Sequence, residues 1–95
     1  MENNDRIVKE GAALLSALAN PRRLQVMILL AEHTELSVRE MADRIDISQS
    51  ALSQHLSKLR HAKLVSTRRD AQSIYYSIKH DCVPKLLNCL RDIYP

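Results

Sequence analysis

Phenylalanine and tryptophan are absent from this sequence, glycine occurs once and cysteine twice. Without the largest aromatic rings, the core must be built from Leu, Ile, Val and Ala. A single glycine leaves few positions that take left-handed backbone without strain. Both absences argue for helices joined by few tight turns. No stretch approaches the roughly 18 consecutive apolar residues of a membrane span. The segment Met1 to Glu10 carries charges of both signs and lacks the apolar region of a signal peptide. A cytoplasmic protein that does not engage a membrane is therefore expected. Two cysteines in such a setting do not suggest a disulfide framework.

Acidic residues are missing from Ile47 to Arg69, where Lys58, Arg60, Lys63, Arg68 and Arg69 stand. Five of the fourteen basic residues lie there, leaving nine against eleven acids elsewhere, so a net charge of only +3 is unevenly spread. A basic segment inside a near-neutral protein suits a polyanion, and equally a solvated basic face. The 95 residues predict one domain, spanning residues 1–95. A chain this short buries a modest share of its surface, so a partner subunit would add stability.

Hydrophobic periodicity predicts a first helix from about Asn4 to Leu18, through Ile7, Val8, Leu14, Leu15 and Leu18. Asn20-Pro21 reads as a cap and first position of a second helix, to about Glu32. That helix is almost wholly apolar from Leu24 to Ala31, as suits the middle of a domain. Ser37-Val38-Arg39-Glu40 is a capping box opening a short helix through Met41, Ala42 and Ile45. After a brief turn at Ile47, Ser48 caps a helix from Gln49 to about Ala62. Its Leu52, Leu56 and Leu59 share one face, and the opposite face is polar, with no acid. The period then changes to two: Leu64 to Arg69 and Gln72 to Lys79 read as strands, with Asp70-Ala71 at the tip. Asp81 is placed to cap a last helix with Pro84 in its first turn. Its stripe is Val83, Leu86, Leu87, Leu90, Ile93 and Tyr94.

The expected fold class is mainly α with a β-hairpin, in the order α-α-α-α-β-β-α. A short helix, a tight turn and a second helix with a polar face form a helix-turn-helix. A basic hairpin after it makes a winged helix. The first and last helices carry wider apolar stripes than one small core needs, which predicts a homodimer joined through them. Two polar helices would then lie about 34 Å apart, one turn of DNA.

Ala19-Asn20-Pro21-Arg22-Arg23-Leu24 and Leu36 to Ala42 resemble the opening of ArsR-family regulators. Ser48 to Arg60 resembles that family's recognition helix, and Leu64 to Arg69 with Gln72 to Ser77 its wing. The resemblance covers nearly the whole chain. It is greatest to the branch of nodulation, hemolysin and biofilm regulators that includes sulfide- and persulfide-responsive repressors. It implies a bacterial transcriptional repressor, homodimeric, seated on an imperfect palindrome in double-stranded DNA and located with the nucleoid when bound.

A recognition helix must offer hydrogen-bonding groups to base edges in the major groove. Gln49, Ser50, Ser53, Gln54 and His55 stand in the first two turns of this one, with Lys58 beyond them, and the free N–H groups at Ser48 to Ser50 suit a phosphate. His55 lies nearer the buried edge and also suits a packing role. Arg68, Arg69 and Gln72 at the wing are expected on phosphate or in the minor groove, and Tyr75 on a phosphate. Phosphate contacts fix register and carry little sequence information.

The family's sensor sites are not expected here. Metal-responsive relatives carry thiols where Ser37-Val38-Arg39 stands, and others place spaced Asp and His on the last helix, where only His80 and Asp81 occur near its start. No metal and no cofactor are expected. Persulfide-responsive relatives use cysteines near the positions of Met27-Ile28 and Pro95. Cys82 and Cys89 instead lie seven apart on one helix, about 10.5 Å, beyond the roughly 7 Å reach of a disulfide. Packing residues are the simpler reading, and a thiol-responsive repressor using Cys82 or Cys89 is the alternative. A winged helix used only for protein contact is a second alternative, one that leaves the acid-free segment unexplained. An enzyme is not expected: Ser48, Ser50, Ser53 and His55 share one helix with no orienting acid.

Overall fold

The helices begin where the sequence caps them. A computed structural model describes residues 2–95, with side chains from Asn4 onward. Helix α1 spans Glu2–Leu18 and α2 spans Pro21–Ala31. Asn20 holds extended backbone between them, and its Oδ1 accepts the Arg22 and Arg23 amides at 2.9 and 3.1 Å. A two-residue strand β1, Leu36–Ser37, leads into α3, Val38–Ile45. The capping box forms in both directions: Ser37 Oγ accepts the Glu40 amide at 3.1 Å, and Glu40 Oε1 accepts the Ser37 amide at 3.0 Å. Helix α4 spans Gln49–His61, strands β2 and β3 span Val65–Asp70 and Ser73–Ile78, and α5 spans Cys82–Ile93.

The mainly helical fold with a hairpin is the expected one, with three departures. Strand β1 joins the hairpin, giving an antiparallel sheet ordered β1-β3-β2, with Leu36 opposite Tyr76. Two residues carry no readable alternation, so the strand is invisible to a periodicity argument. The tip lies one residue later than expected: Asp70 pairs with Ser73, leaving Ala71 and Gln72 as the loop. Asp81 does not cap α5; its backbone is already helical and its side chain makes no capping bond. A side-chain cap needs extended backbone at that position.

Left-handed backbone occurs at Asp46 (φ 52°), Lys63 (φ 61°) and Ala71 (φ 56°), none of them glycine. Asp46 closes α3 and makes the tight turn of the helix-turn-helix. The single glycine, Gly11, lies inside α1. The scarcity of glycine thus did not prevent tight turns. Local strain of about 1–2 kcal/mol per such residue is carried instead.

One core joins all five helices. Leu18, Val26, Met27, Leu30, Met41, Ile45, Leu52, Leu56, Leu59, Leu64, Val83 and Leu87 are buried together, with Leu36, Val65 and Tyr76 from the sheet. Met27 and Met41 supply bulk that missing aromatic residues would otherwise give. Helix α2 is less enclosed than its composition suggests, because Ile28 remains partly exposed. The radius of gyration is 13.9 Å, against about 12 Å for a compact domain of this size. Among the described residues no helix is long and apolar enough to cross a membrane.

Candidate nucleic-acid interface

The surface begins with α4. Leu52, Leu56 and Leu59 are 0% exposed, so packing fixes the rotation of the helix. Gln49, Ser50, Ser53, Gln54 and Lys58 are consequently turned to solvent. Ser48 starts the helix, and its Oγ accepts the Ala51 amide at 3.1 Å. That hydroxyl therefore has a capping role whatever else it contacts. The exposed face offers amide and hydroxyl groups, which both donate and accept hydrogen bonds.

His55 lies on the border of this face and is half-buried. The Nη1 of Arg23 lies 3.5 Å from its Nδ1. Burial first, then the charges of Arg23, Arg22 and Lys58, hold the imidazole below its ordinary value of 6.5. The neutral ring is favoured.

Arg22 and Arg23 occupy the first turn of α2, where positive charge opposes the helix dipole. Their heads serve other helix ends. Arg22 Nη1 donates to the Ile45 carbonyl at 3.1 Å, at the end of α3, and Arg23 Nε donates to the Ala17 carbonyl near the end of α1. These bonds satisfy carbonyls that a helix leaves without internal partners. The Arg22 bond also ties α2 to the turn that orients α4, and the Arg23 bond ties α2 to α1.

The wing approaches α4 from the side. A concavity of about 320 Å³ separates them, lined by Arg39, Gln49, Ser53, Gln72 and Ile74, with Ser37, Val38 and Ser73. Gln49, Ser53 and Gln72, distant in sequence, are thus brought to one groove. Arg39 joins them and was missed in the sequence. The capping box is the signal for it, since it places Arg39 in a helix first turn, an unfavourable position for a cation unless an anion is near.

The four wing candidates separate. Arg69 and Gln72 are exposed near the tip. Arg68 instead donates from Nε to both Glu35 carboxylate oxygens, at 3.0 and 2.8 Å, and from Nη2 to Oε1. Its guanidinium carbon lies 4.7 Å from the centre of the Tyr75 ring. Hydrogen bonding by Arg68 lowers the Glu35 carboxyl, and the same bonds raise the Arg68 guanidinium. Tyr75 is half-buried beneath it.

Cys82 and Cys89 are free thiols and both exposed. They line an apolar hollow between α1 and α5 with Leu14, Val83 and Leu86. Among the described residues, no group of three or more His, Cys, Asp or Glu side chains is placed to hold a metal ion.

Residues 20–67 match the family described as bacterial regulatory protein, arsR family. The nodulation protein NolR of Rhizobium meliloti is 57% identical over 83 residues, covering 87% of this chain and 67% of that protein. The transcriptional activator HlyU of Vibrio cholerae is 43% identical over 94 residues, 99% of this chain and 83% of that protein. The solved structure of its reduced form has a TM-score of 0.86 at 39% identity, covering 99% of this chain and 98% of that one. The homodimeric winged helix-turn-helix DNA-binding domain of a possible ArsR-family regulator from Mycobacterium bovis has a TM-score of 0.88 at 29% identity, covering 99% and 86%. A matched helix-turn-helix, a winged fold shared end to end and relatives that regulate transcription together place this chain in the ArsR family of bacterial regulatory proteins, as a winged helix-turn-helix transcriptional regulator and not an enzyme.

Proposed function

We propose that this chain binds a specific double-stranded operator as a homodimer and represses transcription by occupying it. The observation that carries the reading is the joint surface of α4 and the wing. A hydrogen-bonding face whose one charge is Lys58 stands with exposed Arg39, Arg69 and Gln72, with no carboxylate anywhere from residue 47 to 69. In this reading Gln49, Ser50, Ser53 and Gln54 enter the major groove. Glutamine suits adenine, to which it bonds through two atoms at once. Ser48 and Lys58 flank them on phosphates, and the wing tip lies on the backbone or in the minor groove.

The dimer follows from a second surface. Ile7, Val8 and Leu15 on α1 and Leu90, Ile93 and Tyr94 at the end of α5 are exposed, although large and apolar. Large apolar side chains left exposed along two helices mark an interaction site. The Mycobacterium bovis domain of the same fold is homodimeric. Two-fold pairing through these helices presents two α4 helices to one side of a duplex, which favours a palindromic site with half-sites about one turn apart. A dimer seated across a promoter excludes other proteins from that DNA.

Selection of bound duplexes from a random pool, sequenced at two salt concentrations, tests this. The expected result is an enriched palindrome with half-sites roughly 10 base pairs apart, centre to centre, bound less tightly as salt rises. Recovery of no common sequence overturns it.

A further inference from the structure

Arg68 and Arg69 are neighbours in sequence and lie on opposite faces of the sheet, since side chains alternate along a strand. Arg69 pairs across the hairpin with Ile74, which lines the groove facing α4. Arg68 pairs with Tyr75, and Tyr75 pairs in turn with Ser37 of β1. One row thus crosses all three strands on the face turned from the core. Glu35 stands two residues before Ser37, on the same side, and the Arg68 guanidinium reaches across the Tyr75 ring to it.

We infer that Glu35, Tyr75 and Arg68 form a brace that sets the angle of the wing, and that Arg68 is a positioning residue that does not touch DNA. The inference deepens the DNA-binding reading above and rests on it for its affinity arm. Three features carry it. The guanidinium already makes a bidentate bond to a carboxylate, its strongest available partner. The carboxylate comes from the segment leading into α3, so the bond ties the hairpin to the helix-turn-helix. The aromatic ring against the guanidinium restricts the freedom that makes most exposed ion pairs worth little. The wing's positive charge toward DNA is then supplied by Arg69, whose side chain lies on the other face.

The test compares R68A, E35Q, the double variant E35Q/R68A and R69A with the unmodified protein. Each is titrated with the duplex selected above across a range of salt. R69A is expected to lower the slope of log affinity against log salt by about 0.9, the loss of one phosphate contact. R68A is expected to leave the slope unchanged. R68A, E35Q and the double variant should weaken specific binding by the same factor, roughly fivefold, because they break one unit. A fall in slope for R68A equal to that of R69A overturns the inference. So does a double variant whose loss is the product of the two single losses.

A second readout needs no DNA. In proton exchange followed by nuclear magnetic resonance, the Arg68 Nε proton should exchange more slowly than that of Arg69, and E35Q should abolish the difference. Equal exchange of the two protons in the unmodified protein overturns the brace. Failure of the unmodified protein to bind any duplex overturns the DNA-binding reading and leaves the exchange experiment to decide the brace alone.

Discussion

Helices α4 and α5 carry similar leucine-rich stripes and meet opposite fates. In α4, Leu52, Leu56 and Leu59 are all 0% exposed. In α5, Val83 and Leu87 are buried, while Leu90 is 37% and Ile93 63% exposed, and Tyr94 just beyond it is 77% exposed. The difference lies in position. Helix α4 is surrounded by α2, α3 and the base of the wing, whereas the far end of α5 runs past the last element able to cover it. An apolar stripe announces that a helix wants a partner, not whether that partner lies in the same chain. Where the chain supplies it, the opposite face is held in a fixed direction and becomes a reading surface. Where it does not, the stripe itself becomes the surface.

Substitutions in the two stripes should therefore act on different equilibria. Leu56→Ala leaves a cavity at the centre of the core and should cost about 2–5 kcal/mol, most of the stability of a small domain. Thermal unfolding followed by circular dichroism measures it, and a loss below about 1 kcal/mol would mean that α4 is not packed as described. Ile93→Asp should leave each protomer folded and break the dimer. Sedimentation is expected to show monomers, with a fall in operator affinity of at least about tenfold, since two linked half-site contacts become one. A monomer that also unfolds would place Ile93 in the core after all.

The wing provides a finer test of the same distinction between local and tertiary control. Ala71 holds left-handed backbone at the loop, so Ala71→Gly should raise the unfolding free energy by about 1 kcal/mol. An unchanged midpoint in urea would remove the strain assigned to that turn. The smallest effect concerns His55 at the edge of α4. Its folded value lies below the ordinary 6.5, so the unfolded chain binds a proton more readily than the folded one. Stability is then full above pH 6.5 and is lost as pH falls from there toward the folded value. His55→Asn should flatten the melting temperature between pH 7 and 5, and an equal slope in both proteins would show that His55 does not titrate differently on folding.

Much of the local structure was legible in the residues. Asn20-Pro21 and Ser37 to Glu40 act as caps by chemistry that needs no distant partner, and both formed as read. The polar face of α4 was legible because three leucines at helical spacing leave only one orientation for the rest. Asp81 does not cap because a capping residue is recognised by type, while capping depends on backbone angles, and those of Asp81 are already helical. Strand β1 was missed because its two residues owe their conformation to Tyr75 and Tyr76 across the sheet. Arg68 and Arg69 were read as equivalent because a charge run has no visible face until a strand is paired.

The sequence by itself determined where helices start, which residues seek a core, and that a stretch free of acids would present basic and amide groups together. Those properties depend on neighbours within one or two turns. Only the tertiary structure decided that Arg39 and Gln72 share a groove with Gln49, that Glu35 occupies Arg68, and that half of the α5 stripe is left uncovered. Each of these joins residues far apart in the chain, and closing such distances depends on the packing of the whole core.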